Sequence, residues 1–163
     1  MAQNQSCILI VEDTWNDLVL ISNVLDTRNL KGQVIAVHNA RKALDFISGA
    51  EQGRHPEPVA ILMDLGLPDM PGQALISQLR LKPKFRNTPI IVFSDLPVNE
   101  SEKLVHGLNV QSCHQKPCGF QAFEELFLQL IRPWAAQMGG GGAQKTKLGS
   151  STPQKADAAG TSE

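Results

Sequence analysis

Four short runs, Cys7 to Val11, Val34 to Val37, Val59 to Met63 and Ile90 to Phe93, are apolar at nearly every position, with helix-length segments between them. A strand with one wet face alternates apolar and polar residues, whereas an unbroken apolar run suits a strand covered on both faces by helices. The recurrence of such runs predicts repeated βα units and a doubly wound, five-stranded parallel sheet of α/β class. Between the runs, Leu20, Ile21, Val24 and Leu25 fall at helical spacing. Ala43, Leu44, Phe46 and Ile47 begin a second helix that Gly49 and Gly53 help to end, and Leu75, Ile76 and Leu79 make a third. Pro83 and Pro89 bracket the exit from that helix. A fifth strand is expected over Val110 to Gln115, closed by Pro117, although the segment is mostly polar. Phe123, Leu126, Phe127, Leu130, Ile131 and Trp134 then mark an amphipathic closing helix from Phe120 to Trp134.

The 163 residues allow one domain of ordinary size, expected over residues 1–138. Residues 139–163 begin with four glycines and lack aromatic residues, so they are expected to form a flexible tail that buries too little surface to offset its chain entropy. The 15 Lys and Arg nearly balance the 16 Asp and Glu, which leaves no basic excess for nucleic acid or an anionic membrane. Three cysteines without CxxC spacing argue for reduced thiols, and no segment is apolar for long enough to span a bilayer. A cytoplasmic protein is expected.

In an open parallel sheet the loops after the strands emerge on one edge, which brings residues at distant strand ends together. Those ends carry Glu12 and Asp13, Asp64, Ser94 and Lys116. Each alone reads more simply as a helix cap or a solvated charge; their joint placement is the signal. Three converging carboxylates repel one another unless a hard cation offsets them, and Mg²⁺ favours such oxygen donors. The expected arrangement has Asp13 and Asp64 as side-chain ligands, the Gly66 carbonyl as a backbone ligand and Glu12 as a ligand through water. Asp64 is then the nucleophile toward a phosphoryl group, with Lys116 and the Ser94 hydroxyl meeting the phosphoryl oxygens.

These segments resemble the response-regulator receiver domains of two-component systems. Ile8 to Asp13 resembles the family's first strand with its acid pair, Ile61 to Gly72 its phosphoacceptor loop, Ile90 to Ser94 its hydroxyl-bearing strand, and Lys116-Pro117 its lysine and proline, a peptide bond often cis in the family. The likeness spans about Cys7 to Trp134 and implies the flavodoxin-like receiver fold. It implies a phosphorelay protein that takes a phosphoryl group from a histidine kinase onto Asp64 with Mg²⁺. Such a protein is no enzyme toward other substrates, since it catalyses only its own phosphoryl transfer and dephosphorylation, and it signals by changed protein contacts. Phe93-Ser94, the long final helix and the lack of a second domain resemble the small bacterial regulators that partner phytochrome-type histidine kinases.

The sequence departs from the family pattern at three places. Asp95, following the hydroxyl, puts a negative charge at the mouth of the site, where an anionic donor is repelled. Gly66 and Leu96 offer no polar side chain to orient a water. Ser94 and Cys113 are the implied switch residues, but at Cys113 the family usually carries an aromatic, so the switch leans on Ser94 and the backbone. The resemblance also implies homodimers through the fourth helix, fifth strand and final helix, whose run on to Trp134 adds apolar area for a seam; in the alternative, Phe127, Ile131 and Trp134 simply cap their own core. Among other functions, a phosphohydrolase with Asp13 as nucleophile lacks its general acid, because Trp15 stands two residues on. A flavin or nucleotide binder lacks its phosphate loop. A receiver-shaped interaction module that works without phosphorylation is the remaining alternative.

Overall fold

The computed structural model describes residues 5–138; the expected tail, residues 139–163, lies outside the described residues. Five parallel strands, β1 (Ser6–Val11), β2 (Val34–Val37), β3 (Glu57–Met63), β4 (Ile90–Ser94) and β5 (Ser112–Gln115), form one sheet in the order β2-β1-β3-β4-β5. They alternate with α1 (Trp15–Thr27), α2 (Ala40–Glu51), α3 (Gly72–Leu81), α4 (Val98–Leu104) and α5 (Phe120–Met138). This is the doubly wound α/β architecture that the apolar runs imply.

Successive residues of a strand point to opposite faces, and the buried strands feed two separate cores. Cys7, Leu9, Val11, Ile61, Met63, Ile90 and Val92 pack with Ala43, Phe46 and Ile47 of α2 and Leu75, Ile76 and Leu79 of α3. Their neighbours Ile8, Ile10, Leu62, Ile91 and Phe93 pack on the other face with Ile21, Val24 and Leu25 of α1 and Phe123, Phe127 and Ile131 of α5. Both faces are covered, and so the runs need no polar alternation.

Several boundaries differ from expectation. Gly49 lies inside α2 and does not end it. A Cβ there would overlap the His55 ring, which stacks on Phe46 at 5.0 Å between centroids, so the glycine serves close packing. Gly53, with φ 71°, is the residue that leaves the helix, in the left-handed region that favours glycine. The fifth strand starts at Ser112, two residues later than expected. It is a sheet edge paired with β4 alone, through Ile91↔Ser112 to Ser94↔Gln115, which is why a polar sequence is tolerated there. The final helix continues past Trp134 to Met138 despite Pro133, because Trp134, Ala135 and Met138 pack against the α1–α5 core.

Phe127 and Ile131 are fully buried and Trp134 is partly covered, so these three residues cap their own core and supply no apolar surplus. The large apolar side chains left exposed on α4 and α5 are Val98, Leu104 and Phe120. No peptide bond among the described residues is cis, Lys116-Pro117 included. No described helix is long and apolar enough to cross a membrane.

Candidate functional site

The sheet order reverses direction between β1 and β3, and the crevice at the carboxyl ends of these strands is where open α/β sheets hold ligands. Glu12 and Asp13 leave β1 there, and the Glu12 N–H donates to the Val37 carbonyl at 3.0 Å, extending the β1–β2 pairing by one residue. The Asp64 N–H donates to Val11 at 3.0 Å, fixing the end of β3 against β1. Lys116 is fixed from the far edge, where its N–H donates to the Ser94 carbonyl at 2.7 Å. The sheet thus sets all three backbones before any side-chain contact forms.

Glu12, Asp13 and Asp64 each offer a carboxylate oxygen, and these oxygens lie within 4.8 Å of one another. Glu12 and Asp64 are buried and Asp13 is half-buried. Glu12 Oε1 accepts the Thr14 N–H at 3.0 Å and Asp64 Oδ1 accepts the Gly66 N–H at 3.1 Å. The buried Lys116 ammonium lies 2.6 Å from Glu12 Oε2, 2.8 Å from Asp17 Oδ2 and 2.9 Å from Asp64 Oδ2. Burial pushes the Glu12 carboxyl up, the Asp64 charge adds to this, and Lys116 only partly opposes them, leaving it at about 7. Burial by itself would lower the Lys116 value. Hydrogen bonds to Asp17 and Glu12, with the charges of Glu12 and Asp64, outweigh it and keep the lysine protonated. Glu12, Asp13, Asp17 and Asp64 set four carboxyls around one ammonium, so the cluster is short of positive charge. Its hard oxygen donors therefore suit a divalent cation such as Mg²⁺.

A cavity of about 350 Å³ opens onto this cluster and is lined by Asp13, Asp64, Gly66, Ser94, Asp95 and Leu96, among others. The buried Ser94 hydroxyl accepts the Leu96 N–H at 3.3 Å, which leaves its own hydrogen to donate. Asp95 is exposed at the rim. Cys113 stands apart from the cluster. It is half-buried against the α2–α3 core and lines a second cavity with Glu102 and Val105, and burial, with the Glu102 charge, raises its thiol. Glu12, Asp13, Asp64, Gly66, Ser94 and Lys116 are thus brought together, and Cys113 is not.

Two contributors escaped the sequence reading. Asp17 reaches Lys116, yet in sequence it is one of many acids in the first turn of a helix, where the macrodipole alone would account for it. Asp69, in the loop after β3, accepts the Ala40 and Arg41 N–H groups at 2.9 Å each and so caps α2. That role had no signal in sequence, because the helix and its cap are 28 residues or more apart.

The receiver domain of response regulators matches residues 8–127. The chain is 24% identical to the probable methanogenesis regulatory protein FilR2 of Methanothrix harundinacea over 82% of its own length and 86% of that protein's. It is 30% identical to response regulator Rcp1 of Synechocystis over 53% of this chain and 60% of the relative. Among solved structures, the phosphorylated cyanobacterial phytochrome response regulator RcpA superposes with a TM-score of 0.71 at 21% identity, covering 82% of this chain and 96% of that one. The Mn²⁺-bound form of Rcp1 gives 0.68 at 22% identity, covering 80% and 94%.

Proposed function

The chain belongs to the response regulator receiver family, the phosphoacceptor regulators of two-component systems, and we propose that Asp64 is its phosphoacceptor. The observation that carries this reading is the convergence on Asp64 of Lys116 at 2.9 Å and of a carboxylate cluster within 4.8 Å, at the floor of an open cavity. Asp13 and Asp64 would hold Mg²⁺ through their side chains, Gly66 through its carbonyl and Glu12 through water. When bound, the ion supplies positive charge beside the oxygens of the group in transfer.

The steps fall to residues of this chain. An Asp64 carboxylate oxygen forms the new bond to phosphorus as the bond from phosphorus to a donor histidine nitrogen breaks, and the imidazole keeps that electron pair and takes a proton. Lys116 turns from Asp64 Oδ2 to a phosphoryl oxygen, staying charged throughout. The Ser94 hydroxyl donates to a second phosphoryl oxygen, and in following it Ser94 draws on the Leu96 N–H that it now accepts. This moves the chain just ahead of α4, which makes Ser94 the start of the signal. Cys113, apart from the site, has the secondary part.

The chain catalyses its own phosphorylation and dephosphorylation and signals through altered protein contacts. The donor in this reading is a histidine kinase of phytochrome type, supported by the likeness to Rcp1 and to RcpA, the latter described as a phytochrome response regulator. Incubation with Mg²⁺ and a phosphorylated kinase of that type should transfer one phosphoryl group to the wild-type protein and none to Asp64→Asn. Transfer from unrelated histidine kinases at the same rate would remove the phytochrome part and leave Asp64.

A further inference from the structure

Lys116 has one more carboxylate than the chemistry at Asp64 requires. Its ammonium carries three hydrogens and is met by three carboxylates, those of Glu12, Asp17 and Asp64. Glu12 and Asp64 also belong, with Asp13, to the oxygen cluster that suits a divalent cation. Two of the three partners are therefore shared with that cation, and one of the two is the group to be phosphorylated. Asp17 lies outside the cluster. It lies in the first turn of α1, its carboxylate reaches the Lys116 side chain that follows β5, and its side chain is 17% exposed.

We propose that Asp17 is a positioning residue for phosphoryl transfer. It holds the Lys116 ammonium over Asp64 when Glu12 and Asp64 turn oxygens toward the cation. This rests on the reading of Asp64 as phosphoacceptor. The physical need follows from the lysine itself: a four-carbon stem with rotatable bonds fixes its head poorly, and a buried ammonium takes its place from its partners. Without Asp17 the ammonium rests only on oxygens that it must share, and it spends less time where the phosphoryl oxygens arrive. Asp17 touches no reacting atom, so its effect passes through Lys116.

The test measures the rate of Asp64 phosphorylation by phosphoramidate at saturating Mg²⁺, with the melting temperature followed in parallel. Asp17→Asn is expected to slow transfer roughly tenfold, the lower end of what supporting carboxylates contribute. Asp17→Glu, which keeps the charge, is expected to recover part of the rate. In a Lys116→Ala background Asp17→Asn should change the rate by less than about twofold, because the partner through which it acts is gone. A second arm follows hydrogen exchange of the Lys116 ammonium by nitrogen-15 NMR in the Mg²⁺-loaded protein, where Asp17→Asn should quicken exchange.

A rate for Asp17→Asn within about twofold of wild type, the same slowing with and without Lys116, or unchanged ammonium exchange would each overturn the proposal. Failure of the wild-type protein to accept a phosphoryl group would overturn the reading of Asp64 instead. The NMR arm would still decide whether Asp17 holds the lysine.

Discussion

Lys116 Nζ lies 2.9 Å from Asp64 Oδ2 across 52 residues of sequence, although β3 and β5 do not pair and β4 runs between them. The contact exists because both side chains leave the same edge of a parallel sheet. It also gives the lysine a cost, since the ammonium sits on Glu12 and Asp64, two of the three acids placed to hold a divalent cation. Lys116→Ala is therefore expected to bind Mg²⁺ at least as tightly as wild type while responding weakly to phosphorylation. Titration calorimetry checks the first part, and weaker binding would contradict that competition.

The α3 end of the loop after β3 is set by close contact. A Cβ on Gly72 would lie 2.6 Å from both the Asp64 carbonyl oxygen and the Leu65 Cα, atoms of a backbone that has no room to give. Gly72→Ala is expected to cost about 1–3 kcal/mol, the usual range for overpacking, and to lower the phosphorylation rate by displacing Asp64. Urea unfolding together with a phosphorylation time course reads both effects. A variant unchanged in both would show that the loop is not clamped there.

Much of this architecture was legible in the sequence because apolar runs such as Ile8 to Val11 and Ile90 to Phe93 report burial on both faces directly. The strand ends were legible for the same reason: once the sheet is parallel, Glu12, Asp64, Ser94 and Lys116 must share an edge. What escaped was what depends on contact between distant elements. Asp17 and Asp69 read locally as solvated acids, and only the fold, which brings Lys116 to Asp17 and the α2 N-terminus to Asp69, gives them partners. Gly49 looks like a helix stop in sequence, because the His55 ring that fills the place of its missing Cβ comes close only in the fold. The fourth helix left no periodic signal, since Ser101 is its one buried residue.

Asp95 shares the cavity wall with Asp13 and Asp64, so its carboxylate adds to the negative field that a donor crosses. The repulsion grows with the donor's charge. Asp95→Ala is expected to raise the rate with an acyl phosphate, doubly charged at neutral pH, by up to about fivefold, and with singly charged phosphoramidate by less. The difference should shrink as salt is added. Equal factors for both donors would mean that Asp95 acts by bulk and not by charge.

Asp69 supplies the pH dependence most open to test. The Arg41 and Ala40 N–H groups hold its carboxyl below the ordinary value. A carboxyl depressed in the folded state stabilises it fully above the unfolded value of about 3.9, and that contribution is lost as pH falls through the folded value. Asp69→Ala should therefore melt below wild type at neutral pH, with the gap closing as pH drops below about 4. A gap that stays constant down to the lowest pH at which the fold survives would contradict the capping role.

Asp64 is proposed as the one side chain that receives the phosphoryl group. Intact-mass measurement after incubation with Mg²⁺ and phosphoramidate tests it most directly, with removal of Mg²⁺ and Asp64→Asn as the two comparisons. A single acid-stable, base-labile phosphoryl adduct is expected on the wild-type protein and in neither comparison. An adduct of equal yield on Asp64→Asn, with the variant's melting temperature unchanged, would contradict it.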